Sequence, residues 1–220
     1  MDKNRQAIMF MQEGKYEDAA KLFNEIIEEN PDDPIGYINF GNLLADINEQ
    51  ESAERFFLRA ISLDEKAATA YFGLGNLYFE QENYQKAVEY FQKSLEFGLE
   101  EADVYFLLGL AMQNQEQFKL ALPYLLRATE ITPSDVSFLF QYGLSLAQTE
   151  AIPEAKEVFS KVIVLDEEHS DAYYNLGVIA AFEDEAQQAL QHFNKALQFH
   201  PEHHLAANGK KQVETFLKEN

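Results

Sequence analysis

The chain has 220 residues, 46% of them hydrophobic, and carries 38 acids against 17 bases, a formal net charge of −21. That surplus repels nucleic-acid phosphate and anionic membrane surfaces, so neither is expected as a direct partner, whereas a basic protein partner is compatible with it. With no cysteine there can be no thiolate zinc site, disulfide framework or cysteine nucleophile, and ten glycines and six prolines are too few for a turn-rich sandwich or barrel.

No segment approaches the roughly 20 apolar residues of a membrane span, and the N-terminus lacks an apolar run of signal-peptide length. A soluble, cytoplasmic, all-α protein is the expectation.

Taken in chain order, the sequence divides at a spacing of 34 residues. Unit 1–33 has Lys3 and Ala7 where later units have Tyr and Gly. It reads as a degenerate N-terminal cap whose second helix carries Ala19 and Phe23. Unit 34–67 brings Tyr37, Phe40 and Gly41, then Ala53 and Phe57.

Unit 68–101 contains YFGLGNLYF, in which Tyr71, Leu74, Gly75 and Tyr78 stand at i, i+3, i+4 and i+7, one stripe of a helix. Its Gly-x-Gly is not a dinucleotide fingerprint. The third glycine of such a motif would be Tyr78, and no strand precedes it. A polar turn at Glu82 and Asn83 leads to a second stripe of Tyr84, Ala87, Phe91, Ser94 and Leu95.

Unit 102–135 repeats the scheme with Tyr105, Leu108, Gly109, Ala121 and Leu125. Pro123 falls about a turn into its second helix, where it should shift the start or kink the helix. Unit 136–169 has Leu139, Tyr142, Gly143, Ala155 and Phe159. Unit 170–203 has Tyr173, Leu176, Gly177, Ala189, Phe193, Ala196 and Pro201. Pro31, Pro133 and Pro201 occupy one equivalent position, where they stop the second helix.

Residues 204–220 read as a solvating C-terminal helix. Leu205, Gly209, Val213 and Phe216 form its buried stripe, with Lys210, Lys211, Glu214 and Lys218 off it. Gly41, Gly75, Gly109, Gly143 and Gly177 meet Ala53, Ala87, Ala121, Ala155 and Ala189 without bulk, so paired helices can approach closely. Gly73 belongs to no such series, and a ligand approaching the helix is the role left for it.

This pattern resembles the tetratricopeptide repeat (TPR) family. Its 34-residue helix–turn–helix units place an aromatic, Leu-Gly, an aromatic, then Ala, an aromatic and Pro at set positions. Tyr71, Leu74, Gly75, Tyr78, Ala87 and Phe91 match in turn, and the register recurs over nearly the whole chain. The family's tryptophan is Tyr or Leu here. The resemblance implies an all-α solenoid, a right-handed superhelix whose first helices line a concave groove that binds a peptide or protein segment. A single domain over 1–220 is expected.

Within each first helix, positions 4, 7, 8 and 11 face the core. Positions 2, 5, 9, 12 and 13 lie about a third of a turn round and should face the groove. Position 5 gives Ile38, Phe72, Phe106, Phe140 and Tyr174. Position 9 gives Asn42, Asn76, Leu110, Leu144 and Val178. Position 12 includes Ala45 and Phe79, and position 13 gives Asp46, Glu80, Asn114, Gln148 and Phe182. The aromatic column is either a binding surface or packing between repeats that widens the core.

No Lys or Arg occurs in the first helices of repeats two to six. The chaperone-tail clamp of some TPR proteins, which grips a carboxylate with such cations, is therefore not expected. Asn39, Asn42, Asn76 and Asn175 could instead bond a peptide backbone.

No nucleophile motif or shaped carboxylate pair supports catalysis, and HPEHH at His200–His204 reads as a structural turn rather than a metal site. The expectation is a non-enzymatic scaffold or adaptor without cofactor or metal. It would bind an apolar or basic segment through Asn42, Phe72, Asn76, Phe79, Phe106, Leu110, Phe140, Leu144, Tyr174 and Val178. The alternative is self-association, in which a groove or end receives the terminal helix of another copy.

Overall fold

The structure, a computed structural model, describes residues 2–219. Thirteen helices and no strands are present among them: α1 (Lys3–Gln12), α2 (Tyr16–Glu29), α3 (Pro34–Asp46), α4 (Gln50–Leu63), α5 (Ala68–Glu80), α6 (Tyr84–Glu96), α7 (Ala102–Gln113), α8 (Phe118–Ile131), α9 (Val136–Gln148), α10 (Ile152–Leu165), α11 (Ser170–Phe182), α12 (Ala186–Phe199) and α13 (His204–Glu219). No helix among the described residues is long and apolar enough to cross a membrane.

The chain forms two compact units, one ending at Glu116 and one beginning at Gln117. In the first, α1 to α7 pack as consecutive neighbours, and alternate helices α1, α3, α5 and α7 also touch. In the second, α8 to α13 pack consecutively, with α11 also against α13.

The second helices start at Tyr16, Gln50, Tyr84, Phe118, Ile152 and Ala186, a strict spacing of 34. That regularity answers the expectation at Pro123. The start of α8 is not shifted, and the helix runs through the proline. Pro123 is exposed, and so is Lys119, whose carbonyl loses its usual i+4 donor because proline has no N–H.

Each helix pair closes through a left-handed residue at one register position. Gly14 (φ 72°) is followed by Asn48, Glu82, Glu116, Glu150 and Asp184, at φ between 57° and 65°. A side chain there costs on the order of 1 kcal/mol against glycine, less the extra freedom glycine has when unfolded. Glu82→Gly and Glu150→Gly should each raise stability by about 0.5–1 kcal/mol in urea denaturation. A loss in both variants would contradict this account of the turn.

Each unit's core is built on phenylalanines of its second helices, Phe23, Phe57 and Phe91 in the first and Phe159 and Phe193 in the second, all at most 1% exposed. A Cβ on Gly75 would lie 2.5 Å from the Phe91 ring. One on Gly143 would lie 2.8 Å from Phe159, and one on Gly177 2.7 Å from Phe193. The recurring glycine therefore makes room for the ring of its own partner helix.

Gly73 has the same role from the other side. Its Cβ would stand 2.5 Å from Phe57 of the preceding unit. Gly73, which the sequence left without a packing role, thus has one: Phe57 is clasped between Gly41 and Gly73, and Phe193 between Gly177 and Gly209.

The last helix also departs from its predicted stripe. Ala206, Gly209 and Val213 face Phe193, while Leu205 and Phe216 are exposed at 59% and 53%. Docking against α12 selects the small residues of α13, because only they fit over that ring.

Candidate functional site

Alternate helices of the first unit build a cleft. Asn42, Ala45 and Asp46 come from α3, Asn48 from the turn after it, and Gly73, Asn76 and Glu80 from α5. Phe57 of α4 forms the floor, and the cleft measures about 470 Å³. Asn42 and Asn76 stand at the same position of neighbouring first helices, as do Asp46 and Glu80, so the cleft has two matched polar edges.

The asparagines named from the sequence separate clearly. Asn39 donates from Nδ2 to Asn4 Oδ1 at 3.2 Å, and Asn175 donates to the Asp171 carbonyl of its own helix at 2.8 Å. Both serve the fold. Asn42 is exposed in the cleft, and Asn76 Oδ1 is buried without a hydrogen-bond partner. An acceptor cut off from water and left unpaired costs about 1–3 kcal/mol, which a donor from a bound segment relieves once the Asn76 amide turns toward the cleft it lines. Asp46 is exposed at its surface, but partial burial of its carboxyl pushes its pKa above the ordinary value.

The aromatic column is half-buried rather than freely presented. Phe72 lies 5.8 Å from Phe91, Phe140 5.7 Å from Phe159, and Tyr174 6.1 Å from Phe193, centroid to centroid. Phe140 and Tyr174 also pack at a tilt of 40° against His169 and His203, at 4.6 and 5.0 Å. These rings thicken the core and offer one edge to the surface. Phe79 packs edge-on against Tyr84 at 5.4 Å. Phe106, Leu110 and Leu144 are likewise partly buried, and Val178 is exposed.

The histidine cluster forms the turn expected of it. The His200 carbonyl accepts from the His203 backbone N–H at 3.0 Å, and His203 Nδ1 accepts from the Ala206 N–H at 3.2 Å, capping α13. His169 caps α11 in the same way, one period earlier. Among the described residues no three His, Asp or Glu side chains converge as a metal site requires.

The second unit has a hollow of about 410 Å³ in the same register. It is lined by Tyr174, Val178 and Ala181 of α11, Phe193 of α12, and Leu205, Asn208, Gly209, Gln212 and Val213 of α13. Sequence reasoning missed the floor residues Phe57 and Phe193, which belong to second helices. It also missed α13 as a groove wall. The recurrence of Gly73 at Gly209, four periods on, was the available signal.

Four tetratricopeptide repeat family profiles match the chain, over residues 10–74, 68–97, 102–135 and 143–204. A crystal structure of YrrB, described as a TPR protein with an unusual peptide-binding site, is 44% identical. That match covers 87% of this chain and 99% of YrrB, with a TM-score of 0.84. The chain belongs to the tetratricopeptide repeat family.

A stretch of 41 residues is 61% identical to the TPR repeat-containing protein YrrB of Bacillus subtilis (strain 168), spanning 19% of this chain and 20% of that one. At lower identity the fold alone is shared. A MamA structure is 20% identical over 76% of this TPR chain and 91% of its own, with a TM-score of 0.71. PilF of Pseudomonas aeruginosa is 14% identical over 96% of both chains, with a TM-score of 0.79. The TPR fold supports a protein-interaction role, and TPR modules are generally non-enzymatic.

Proposed function

We propose that this TPR protein is a non-enzymatic scaffold that holds a peptide or protein segment in the α3/α5 cleft, with Asn42 and Asn76 bonding the segment's backbone. The observation that carries the reading is the partnerless Asn76 Oδ1, buried behind the wall of a cleft of about 470 Å³ that Asn76 itself lines. A peptide N–H supplies the missing donor, and the amide N–H groups of both asparagines can answer a peptide carbonyl. Asp46 and Glu80 on the rim favour a basic segment. The partly buried rings of Phe72 and Phe79 supply apolar edge. The likeness to YrrB, whose structure is described as having a peptide-binding site, supports the same reading.

A photo-crosslinker at Ala45 should capture a discrete partner from lysate that a crosslinker at Leu58 of α4 does not. Asn42→Ala/Asn76→Ala should cut that capture about tenfold. Equal capture by both crosslinkers, or full capture by the double variant, sinks the reading.

Asn76→Leu carries a paired expectation. Removing the orphaned acceptor for a side chain of similar shape should raise the melting stability by about 1 kcal/mol while weakening capture, by no more than the double variant does.

Acidification gives an independent check. Burial raises the folded pKa of Asp46, so this group contributes stability in acid that is lost as pH rises through that value. A cationic ligand pulls the proton off again. Capture of a basic segment should therefore weaken as pH falls through the raised pKa of Asp46, and Asp46→Asn should remove that step.

A second reading is self-association, for which Phe182, 78% exposed at the end of α11, is the specific observation. Light scattering across a concentration range decides it, since a strict monomer excludes it.

A further inference from the structure

We infer that Asn48 is a hydrogen-bond donor of the α3/α5 cleft that seats a backbone carbonyl of the bound segment, and that Gln50 and Gln81, outside the cleft, are positioning residues that hold it in that sense. This rests on the peptide reading above and adds to it a residue that tells a peptide from a bare cation.

The left-handed position that closes each helix pair is filled by Gly14, Asn48, Glu82, Glu116, Glu150 and Asp184. Asn48 is the single amide of that series. Its φ of 63° is a conformation that asparagine tolerates better than most residues. Its side chain lines the α3/α5 cleft two residues beyond Asp46.

A line of amides fixes which end of Asn48 is free. Gln81, the C-cap of α5, donates from Nε2 to Gln50 Oε1 at 3.1 Å. Gln50, the first residue of α4, donates from Nε2 to Asn48 Oδ1 at 3.4 Å. The Asn48 oxygen is thereby engaged, and no hydrogen bond among the described residues uses its Nδ2. What Asn48 has left to offer is two N–H donors.

The opposite sense of the line would free the Asn48 oxygen instead, in a cleft already lined by the carboxylates of Asp46 and Glu80. Like partial charges oppose that arrangement, so the observed sense is the favoured one. Amides in line also polarise one another, which strengthens the terminal donor. The line occurs once in the array, because the register equivalents of Gln50 are Tyr16, Tyr84, Phe118, Ile152 and Ala186.

Asp46, Glu80 and the unpartnered Asn76 oxygen therefore accept, while Asn48 donates. A basic peptide answers both halves, with its cation and its backbone carbonyl. A bare amine answers only the first.

NMR titration of the full-length protein with two cations separates them: acetyl-lysine methylamide, and butylammonium, which is the lysine side chain alone. The side-chain amide signals of Asn42, Asn48 and Asn76 are followed. The parent should prefer acetyl-lysine methylamide about fivefold, and only that probe should move Asn48. Asn48→Gly should bring the ratio to about one, with stability in urea held or raised because glycine suits this φ. Gln50→Glu, an acceptor only, and Gln81→Glu, which reverses the line, should lower the ratio likewise. Gln50→Lys, a donor only, should preserve it. Added charges act on both cations alike and cancel in the ratio, and a merely structural role would not separate Gln50→Lys from Gln50→Glu.

A preference that persists in Asn48→Gly, or that Gln50→Glu and Gln50→Lys change equally, overturns the inference. Equal affinity of the parent for the two probes also overturns it, and the peptide reading stands if Asn42 and Asn76 still respond. If neither probe moves any of the three amides, both fall.

Discussion

Replacing Phe57 by alanine is expected to lower stability by about 3–5 kcal/mol in urea denaturation. The ring is 1% exposed and fills the space between two first helices, where added Cβ atoms on Gly41 and Gly73 would come within 2.7 and 2.5 Å of it. Both neighbours lack side chains, so no side chain at either position can move in to fill the void. The surrounding helices relax little, which puts the cost near the upper end for a buried ring. The change also removes the cleft floor, so peptide capture should fall with it. Phe182→Ala is the matched control: the same residue type, 78% exposed, should change stability by about 0.5 kcal/mol or less. A Phe57→Ala cost below about 1 kcal/mol would overturn the clasp as the source of stability.

Gly75→Val tests the same contact from the other side and should cost about 3 kcal/mol. Its first carbon would sit 2.5 Å from both Cδ1 and Cε1 of Phe91, a ring with no exposed surface. Either the ring leaves its rotamer or α5 and α6 separate, and the gain from replacing a helical glycine, under about 1 kcal/mol, does not offset it. Phe91→Leu in the same chain should recover part of the loss, a coupling that a double-mutant cycle measures directly. Gly14→Ala is a glycine change of another kind. Nothing lies within 4 Å of the added carbon, but the backbone sits at φ 72°. Its cost, on the order of 1 kcal/mol, comes from conformation rather than collision and should not respond to any change at Phe23.

These residues also show why parts of the site could be read in advance and parts could not. The face bearing Asn42, Asn76, Asp46 and Glu80 follows from counting around a helix, and these four side chains do line one cleft. Four asparagines looked alike in the sequence, yet Asn39 is taken up by Asn4 and Asn175 by a carbonyl in its own helix. A hydrogen bond to a partner 35 positions away leaves no trace in local periodicity. The aromatic column left two readings open, and ring distances of 5.7 to 6.1 Å to core phenylalanines show that it largely thickens the core.

By itself the sequence determined the family, the helix pairs and their register. A 34-residue period repeated in glycine, alanine and phenylalanine fixes two helices per unit and the small residues on their packing faces, and local spacing carries that information. Only the tertiary structure decided the partner of Gly73, the buried face of α13 and the fate of each asparagine. These depend on contacts between neighbouring repeats, where the partner is set by stacking geometry rather than by position along a single helix. The orphaned oxygen of Asn76 is of that kind, because an unmade hydrogen bond exists only once everything around it has been packed.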